Sequence, residues 1–113
     1  MIQPDFDRVR RRLYLVFDEN IISTQLEPLS KTVEEVLQAH ESLGPQVIYF
    51  DLRELRMIDS MGLHWLFEVM RDQHALGRKL ILQIASPAIN KVVTFGGLGQ
   101  LAEIKFRRRS QVR

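Results

Sequence analysis

The sequence predicts an α/β domain in which strands alternate with amphipathic helices, and three observations carry that expectation. Four short β-type segments (residues 13–17, 47–50, 79–82 and 103–106) are separated by stretches whose apolar residues recur every three or four positions. Each of those stretches is bounded by residues that start or stop helices. The length, 113 residues, allows one hydrophobic core but not two. Parallel pairing is expected wherever a helix crosses between strands.

In the first segment Leu13, Leu15 and Phe17 alternate with Tyr14 and Val16, so both faces are apolar and a strand covered on both sides is expected. Thr24-Gln25-Leu26-Glu27 has the spacing of a capping box, in which threonine and glutamate satisfy each other's unpaired backbone N–H groups. Pro28 is tolerable there because it falls within the first helical turn. Leu29, Val33, Val36 and Leu37 then form the stripe of an amphipathic helix. That helix should stop near Leu43-Gly44-Pro45, where glycine allows a left-handed cap and proline forbids continuation.

The strand from Val47 to Phe50 runs into a charged connector, Asp51 to Arg56. A second helix is expected from Met61 to about Leu76, with Leu63, Leu66, Phe67 and Met70 buried and Trp65 and Val69 on their flank. Glu68, Arg71, Asp72 and Gln73 should face water, and Gly77 suits the position after the helix end. After the strand at 79–82, Ser86 reads as an N-cap with Pro87 at the first helical position, and Ile89, Val92 and Val93 form the apolar face. The helix ends before Gly96-Gly97, Leu98 and Leu101 pack the turn, and 103–106 is the last strand.

The stretch VIYFDLRELRMIDSMGL, residues 47–63, holds the most informative junction. Asp59, Ser60 and Gly62 punctuate a helix start, where backbone N–H groups are unpaired and the helix dipole is positive. A serine at such a place serves as an N-cap or takes a phosphate. If Ser60 is exposed, adding about two negative charges would change the surface without breaking the fold. Asp59 either caps the helix or presents the serine to a kinase. Gly62 leaves room beside the serine, since a side chain there would crowd a docking partner.

Asp59-Ser60-Met61-Gly62-Leu63 resembles the Asp-Ser-x-Gly-Leu signature of STAS domains, the anti-sigma-factor antagonists and the cytoplasmic ends of sulfate transporters. The preceding strand, and Ser86-Pro87-Ala88 and Gly97-Leu98 behind it, follow in the family's order. The resemblance covers residues 47–106 well and the first third loosely. It implies a single STAS-like domain over residues 1–113, with a mixed, mostly parallel sheet of four or five strands and helices packed mainly on one side. It also implies that Ser60 is phosphorylated and that Asp59, Ser60, Met61, Gly62, Glu19 and Asn20 bind the partner. Antagonists of this kind carry Gly-Glu-Leu-Asp after the early strand. Here Asp18-Glu19-Asn20-Ile21-Ile22 keeps a carboxylate at Glu19 and places isoleucine about where the aspartate would lie, and Met61 replaces the usual small residue after the serine. Both departures touch the recognition surface rather than the core.

The resemblance further implies a bacterial transcription regulator acting by partner switching, a binding protein rather than an enzyme. Unphosphorylated, it would dock an anti-sigma factor and so release a sigma factor or similar client. The kinase would be a serine kinase of the histidine-kinase-like ATPase type, and a PP2C-type phosphatase would reset the switch. The nucleotide belongs to the partner, so this chain needs no cofactor. A rival reading is a STAS-like accessory subunit of an ABC-type lipid-transport complex. A third is direct nucleotide or nucleic-acid binding through arginine clusters.

Those clusters explain why a net charge of only +2 accompanies a pI near 9.3. They are Arg8, Arg10, Arg11 and Arg12, and Arg107, Arg108, Arg109 and Arg113. They read best as charges that solubilise terminal strands, because no aromatics are interleaved with them to stack bases, and no specific nucleic-acid binding is expected. The absence of cysteine excludes disulfides, thiol catalysis and cysteine zinc sites. His40, His64 and His74 show no metal spacing, the last two pointing about 80° apart around one helix. Neither a P-loop nor a Gly-x-Ser-x-Gly elbow is present, and Gly96-Gly97-Leu98-Gly99 follows a helix, which favours a terminating turn over a phosphate cradle. The pair Asp18-Glu19 reads as solvated. No apolar run approaches the ~18 residues of a membrane span, and Met1-Ile2-Gln3-Pro4-Asp5 lacks the regions of a signal peptide. A cytoplasmic location without membrane insertion is expected.

Overall fold

Parallel pairing of the alternating segments is what the chain adopts in the computed structural model, which describes residues 2–107. Five strands, β1 (Ile2–Asp7), β2 (Arg12–Phe17), β3 (Val47–Asp51), β4 (Lys79–Ile84) and β5 (Glu103–Phe106), lie side by side in that order. β1 is antiparallel to β2, and every later pair is parallel. The crossovers are α1 (Leu26–Glu41), α2 (Ser60–Ala75) and α3 (Pro87–Phe95).

The sequence pattern did not announce β1. Its Pro4 and its acidic and polar residues argue against a strand, but an edge strand tolerates a proline, whose missing N–H is not needed by a neighbour. Pro4 sits opposite Leu15 in the antiparallel register, and Ile2, opposite Phe17, is buried.

One core joins Leu13, Leu15, Phe17, Ile48, Phe50, Leu80 and Leu82 of the sheet to Leu29 and Val33 of α1, Leu66 and Met70 of α2, and Ile89 and Val93 of α3. Fully burying each such side chain contributes about 2 kcal/mol. The helices therefore share one face of the sheet. This corrects the expectation that β2 is covered on both sides: Tyr14 and Val16 are only half-buried, and Tyr14 stacks on Tyr49 of β3 at 4.4 Å on the face away from the core. Apolar residues on both sides of a strand do not require a second helical layer when tyrosines can cover each other.

Three further expectations are corrected by packing. The capping box at Thr24–Glu27 does not form; a 3-10 turn, Ser23–Gln25, leads into α1, and Gln25 at the cap makes no side-chain bond. Gln73 is buried rather than solvated, and its amide oxygen accepts from the Arg78 guanidinium, which also donates to both Glu41 oxygens at 2.8 Å. The charged connector after β3 contains two buried leucines, Leu52 and Leu55. Its first charge is buried as well, since Asp51 accepts from Arg53 Nε at 2.9 Å and Nη2 at 2.7 Å.

The remaining punctuation follows local chemistry. Gly44 (φ 62°) and Gly77 (φ 81°) supply the left-handed residues that end α1 and α2. Gly96 and Gly97 end α3, so the glycine-rich run is a helix-terminating turn, with Leu98 buried beneath it. Arg108, Arg109 and Arg113 lie outside the described residues.

Candidate functional site

The site lies where the chain leaves β2 and β3, two adjacent parallel strands, so their following loops emerge side by side. The two loops are stitched together by backbone. Ile21 N–H donates to the Met57 carbonyl (3.2 Å), and Asp59 N–H donates to the Ile21 carbonyl (3.2 Å), a one-rung parallel bridge between Ile21 and Ile58. Asn20 adds a side-chain clasp, its Oδ1 accepting from the N–H groups of Arg56 (3.0 Å) and Met57 (3.1 Å).

Asp59 is the centre of this arrangement. One carboxylate oxygen, Oδ1, accepts from Gly62 N–H at 2.7 Å and so caps α2. The other, Oδ2, accepts from Ser23 N–H at 2.7 Å, across the loop pair. The bond from Ser23 and then that from Gly62 hold the Asp59 carboxyl below its usual range, because both favour the charged form. Asp59 therefore caps the helix, and the same carboxylate anchors the loop after β2. It also explains the missing capping box, since the Ser23 backbone is drawn to Asp59 before α1 begins.

With Asp59 as the cap, Ser60 is not the N-cap but the first helical residue, and it is exposed. The cap does not consume its hydroxyl. Met61 beside it is 62% exposed. Gly62 is buried, and its reason differs from the one read in the sequence. A Cβ there would lie 2.1 Å from the Ile21 carbonyl oxygen, so the space is already taken by this chain's own backbone and not held open for a partner. No local pattern signals that, because Ile21 and Gly62 meet only through the paired strands.

The structure thus brings Asn20, Asp59, Ser60, Met61 and Gly62 together, with Asn20 and Gly62 acting inside the clasp. Glu19 is exposed and lines a separate small cavity of about 140 Å³ with Ile2, Gln25, Pro28, Leu29 and Thr32. Ser60 instead borders a shallow apolar depression of about 300 Å³ with Leu63, His64, Phe67 and Gly96. His64 reaches Glu68 at 3.0 Å one turn on. Sequence reasoning missed two neighbours, Met57 (55% exposed) and Phe95 (92% exposed). Phe95 immediately precedes Gly96, which packs against Leu63 of α2. Its signal was available: Phe95 falls out of phase with the buried stripe of α3. Among the described residues no cluster of histidine and carboxylate side chains is placed to hold a metal ion, and no helix is long and apolar enough to cross a membrane.

Three solved structures are similar to this chain along nearly its whole length. A candidate anti-sigma factor antagonist from Thermotoga maritima, tm1081, superposes with a TM-score of 0.75 at 15% identity, over 97% of this chain and 89% of its own. The anti-sigma factor antagonist SpoIIAA in its unphosphorylated form gives 0.65 at 18% identity, over 95% and 89%. The Bacillus cell fate determinant SpoIIAA in its phosphorylated form gives 0.63 at 22%, over 95% and 93%. At these identities the likeness establishes a shared fold. No curated protein matches by sequence. Residues 3–111, nearly the entire chain, match the STAS domain family, and with the mixed five-stranded sheet, its helices on one face and the Ser60 helix start in place, the chain belongs to that family.

Proposed function

We propose that this protein is a phosphorylation-switched binding module of the anti-sigma-factor-antagonist kind, working without catalysis of its own. The carrying observation is that Asp59 takes over the helix cap and leaves the Ser60 hydroxyl exposed at the positive end of α2. A phosphate there adds about two negative charges to the surface without displacing a structural bond. The surroundings suit a protein partner, because Met57 and Met61 are exposed apolar residues within three positions of the serine, and exposed Phe95 adjoins Gly96 of the apolar depression that the serine borders. The fold neighbour SpoIIAA is known in unphosphorylated and phosphorylated forms, which supports the reading by analogy of fold.

The unphosphorylated protein docks an anti-sigma factor through Ser60, Met61 and the loop of Glu19 and Asn20, with Asp59 and Gly62 holding that surface in shape. The same partner, a serine kinase of the histidine-kinase-like ATPase type, phosphorylates Ser60, charge and bulk release it, and a PP2C-type phosphatase restores binding in the cytoplasm. The test is a pull-down from the native host with wild type, Ser60→Ala and Ser60→Glu, followed by phosphopeptide mass spectrometry. A small ATPase kinase retained by wild type and Ser60→Ala, lost at least tenfold (~1.4 kcal/mol) by Ser60→Glu, with phosphate on Ser60, is the expected result. Phosphate at Ser86 instead, or equal retention by all three, sinks the switch; recovery of a transporter ATPase assigns the domain to a lipid-transport complex.

A further inference from the structure

A groove of about 480 Å³ runs between α1 and α2, and Ser60 and its neighbours take no part in it. Its floor is apolar, with Val33 and Leu37 from α1 and Trp65 and Val69 from α2. Val33 is buried, but Leu37, Trp65 and Val69 are only half-buried, so the fold leaves this floor partly open. The rim is acidic: Glu34 stands on one helix and Glu68 and Asp72 on the other, all exposed. His64 lies 3.0 Å from Glu68 and Arg71 lies 3.9 Å from Asp72, yet neither side chain lines the groove.

The turn between β1 and β2 has the complementary chemistry. Residues 8–11 read Arg-Val-Arg-Arg, and Val9 is 93% exposed between two exposed arginines. An apolar side chain held out there does nothing for the core. The tip is nevertheless rigid. Asp7 Oδ1 accepts from the N–H groups of Val9 (3.0 Å) and Arg10 (3.1 Å), Arg11 takes a left-handed φ of 54°, and its carbonyl accepts from Gln46 N–H at 2.9 Å. A preformed tip loses little freedom on docking. Asp7 and Arg12 pair across its base, and none of residues 8–11 lines the groove of its own chain. The whole chain carries only +2, so two copies repel weakly overall while these two patches attract.

We propose that the β1–β2 tip of one copy docks in the α1–α2 groove of a second copy, with Val9 on the apolar floor and Arg8 and Arg10 against Glu34, Glu68 and Asp72. Each copy offers one tip and one groove, so the contact closes as a reciprocal two-fold dimer where both docks form at once and otherwise propagates into chains or rings. The contact is small compared with the ~1,200 Å² of stable complexes, and its charge pairs are solvent-accessible. Association is therefore weak and salt-sensitive. It does not depend on the reading of Ser60.

Sedimentation equilibrium of the full chain tests this between ~10 µM and ~1 mM, the range of weak interfaces. The salt should be varied from ~50 mM to ~500 mM, which shortens screening from about 14 Å to about 4 Å. The wild-type average mass should rise with concentration at low salt and return to that of a monomer at high salt. The pairs Arg8→Gln with Arg10→Gln, and Glu34→Gln with Asp72→Asn, remove charge without reversing it, lie on exposed positions and should each give a folded monomer with an unchanged thermal transition. Mixed one to one, the two variants should form a heterodimer and nothing larger, because the tip variant keeps an intact groove and the groove variant an intact tip. A wild type that stays monomeric at low salt and ~1 mM overturns the proposal. So do variants that self-associate as wild type does, and a mixture that remains monomeric. Binding of a peptide copying residues 6–13 by a chain that is itself monomeric would assign the groove to a different basic segment and likewise reject self-docking.

Discussion

Two helices in this protein begin with a serine near the cap, and they use it in opposite ways. At α3, Ser86 is the cap: its Oγ accepts from Ile89 N–H at 3.3 Å, and Pro87 sits at the first helical position. At α2 the cap is Asp59, one residue earlier, and Ser60 is already helical and exposed. The two sites share the same local dipole and the same residue type. They differ in whether the hydroxyl has a structural task. A helix-start serine becomes available for modification when a neighbour relieves it of capping, and Asp59 can do so because a second loop, through Ser23, fixes the carboxylate in place.

The comparison is broken most severely by closing the gap between the two loops. Gly62→Ala forces a Cβ to 2.1 Å from the Ile21 carbonyl, a backbone atom that cannot yield without parting the loops. Chemical denaturation should show a loss of about 3 kcal/mol. The control is Gly96→Ala, whose Cβ would come nearest to the Leu63 side chain, 2.8 Å from Cδ2 and 3.0 Å from Cδ1 and Cγ, and not to backbone; about 1 kcal/mol is expected there. Equal losses would show that the loop clasp is softer than its geometry.

Asp59→Asn should come next in size. It forces no overlap, but it leaves one uncharged acceptor for two backbone N–H groups and turns an NH2 donor toward the other, whereas Ser86→Ala removes one acceptor. Because the folded Asp59 carboxyl is held below its usual range, its contribution is fully present above the ordinary aspartate pKa of about 3.9 and fades as pH falls through the lower folded value. Thermal melts should therefore show wild type above Asp59→Asn at neutral pH, with the gap closing in acid. A gap that persists at the acid end would mean that shape, not charge, holds the loops.

Ser86→Ala removes a cap with its bond and should lower stability by about 1 kcal/mol. Ser60→Ala sharpens the contrast from the other side, and its denaturation midpoint should stay within about 0.5 kcal/mol of wild type. If Ser60→Ala were the costlier of the two, Ser60 would be structural and the proposed switch would lose its basis.

Much of this architecture was legible before any coordinates. The strands at 13–17, 47–50, 79–82 and 103–106, the Ser86 cap with Pro87, and the glycine-ended helices were all readable, because each depends on side chains within a turn or two of one another. Residue 60 stood out for the same reason. What was not legible had distant partners. β1 exists through its register with β2 despite Pro4, and Gln73 is buried because Arg78 and Glu41 close over it. Likewise, the exposure of Phe95 depends on how α3 lies against α2, although its phase in the helix was visible.

The sequence by itself determined an α/β domain with a serine at the start of its second helix, since period, caps and breakers act over short spans of chain. Only the tertiary structure decided which serine is free and why Gly62 has no side chain. Ser23 and Asp59, 36 positions apart, and Ile21 and Gly62 beside them meet solely because β2 and β3 pair in parallel and release their loops at the same end of the sheet.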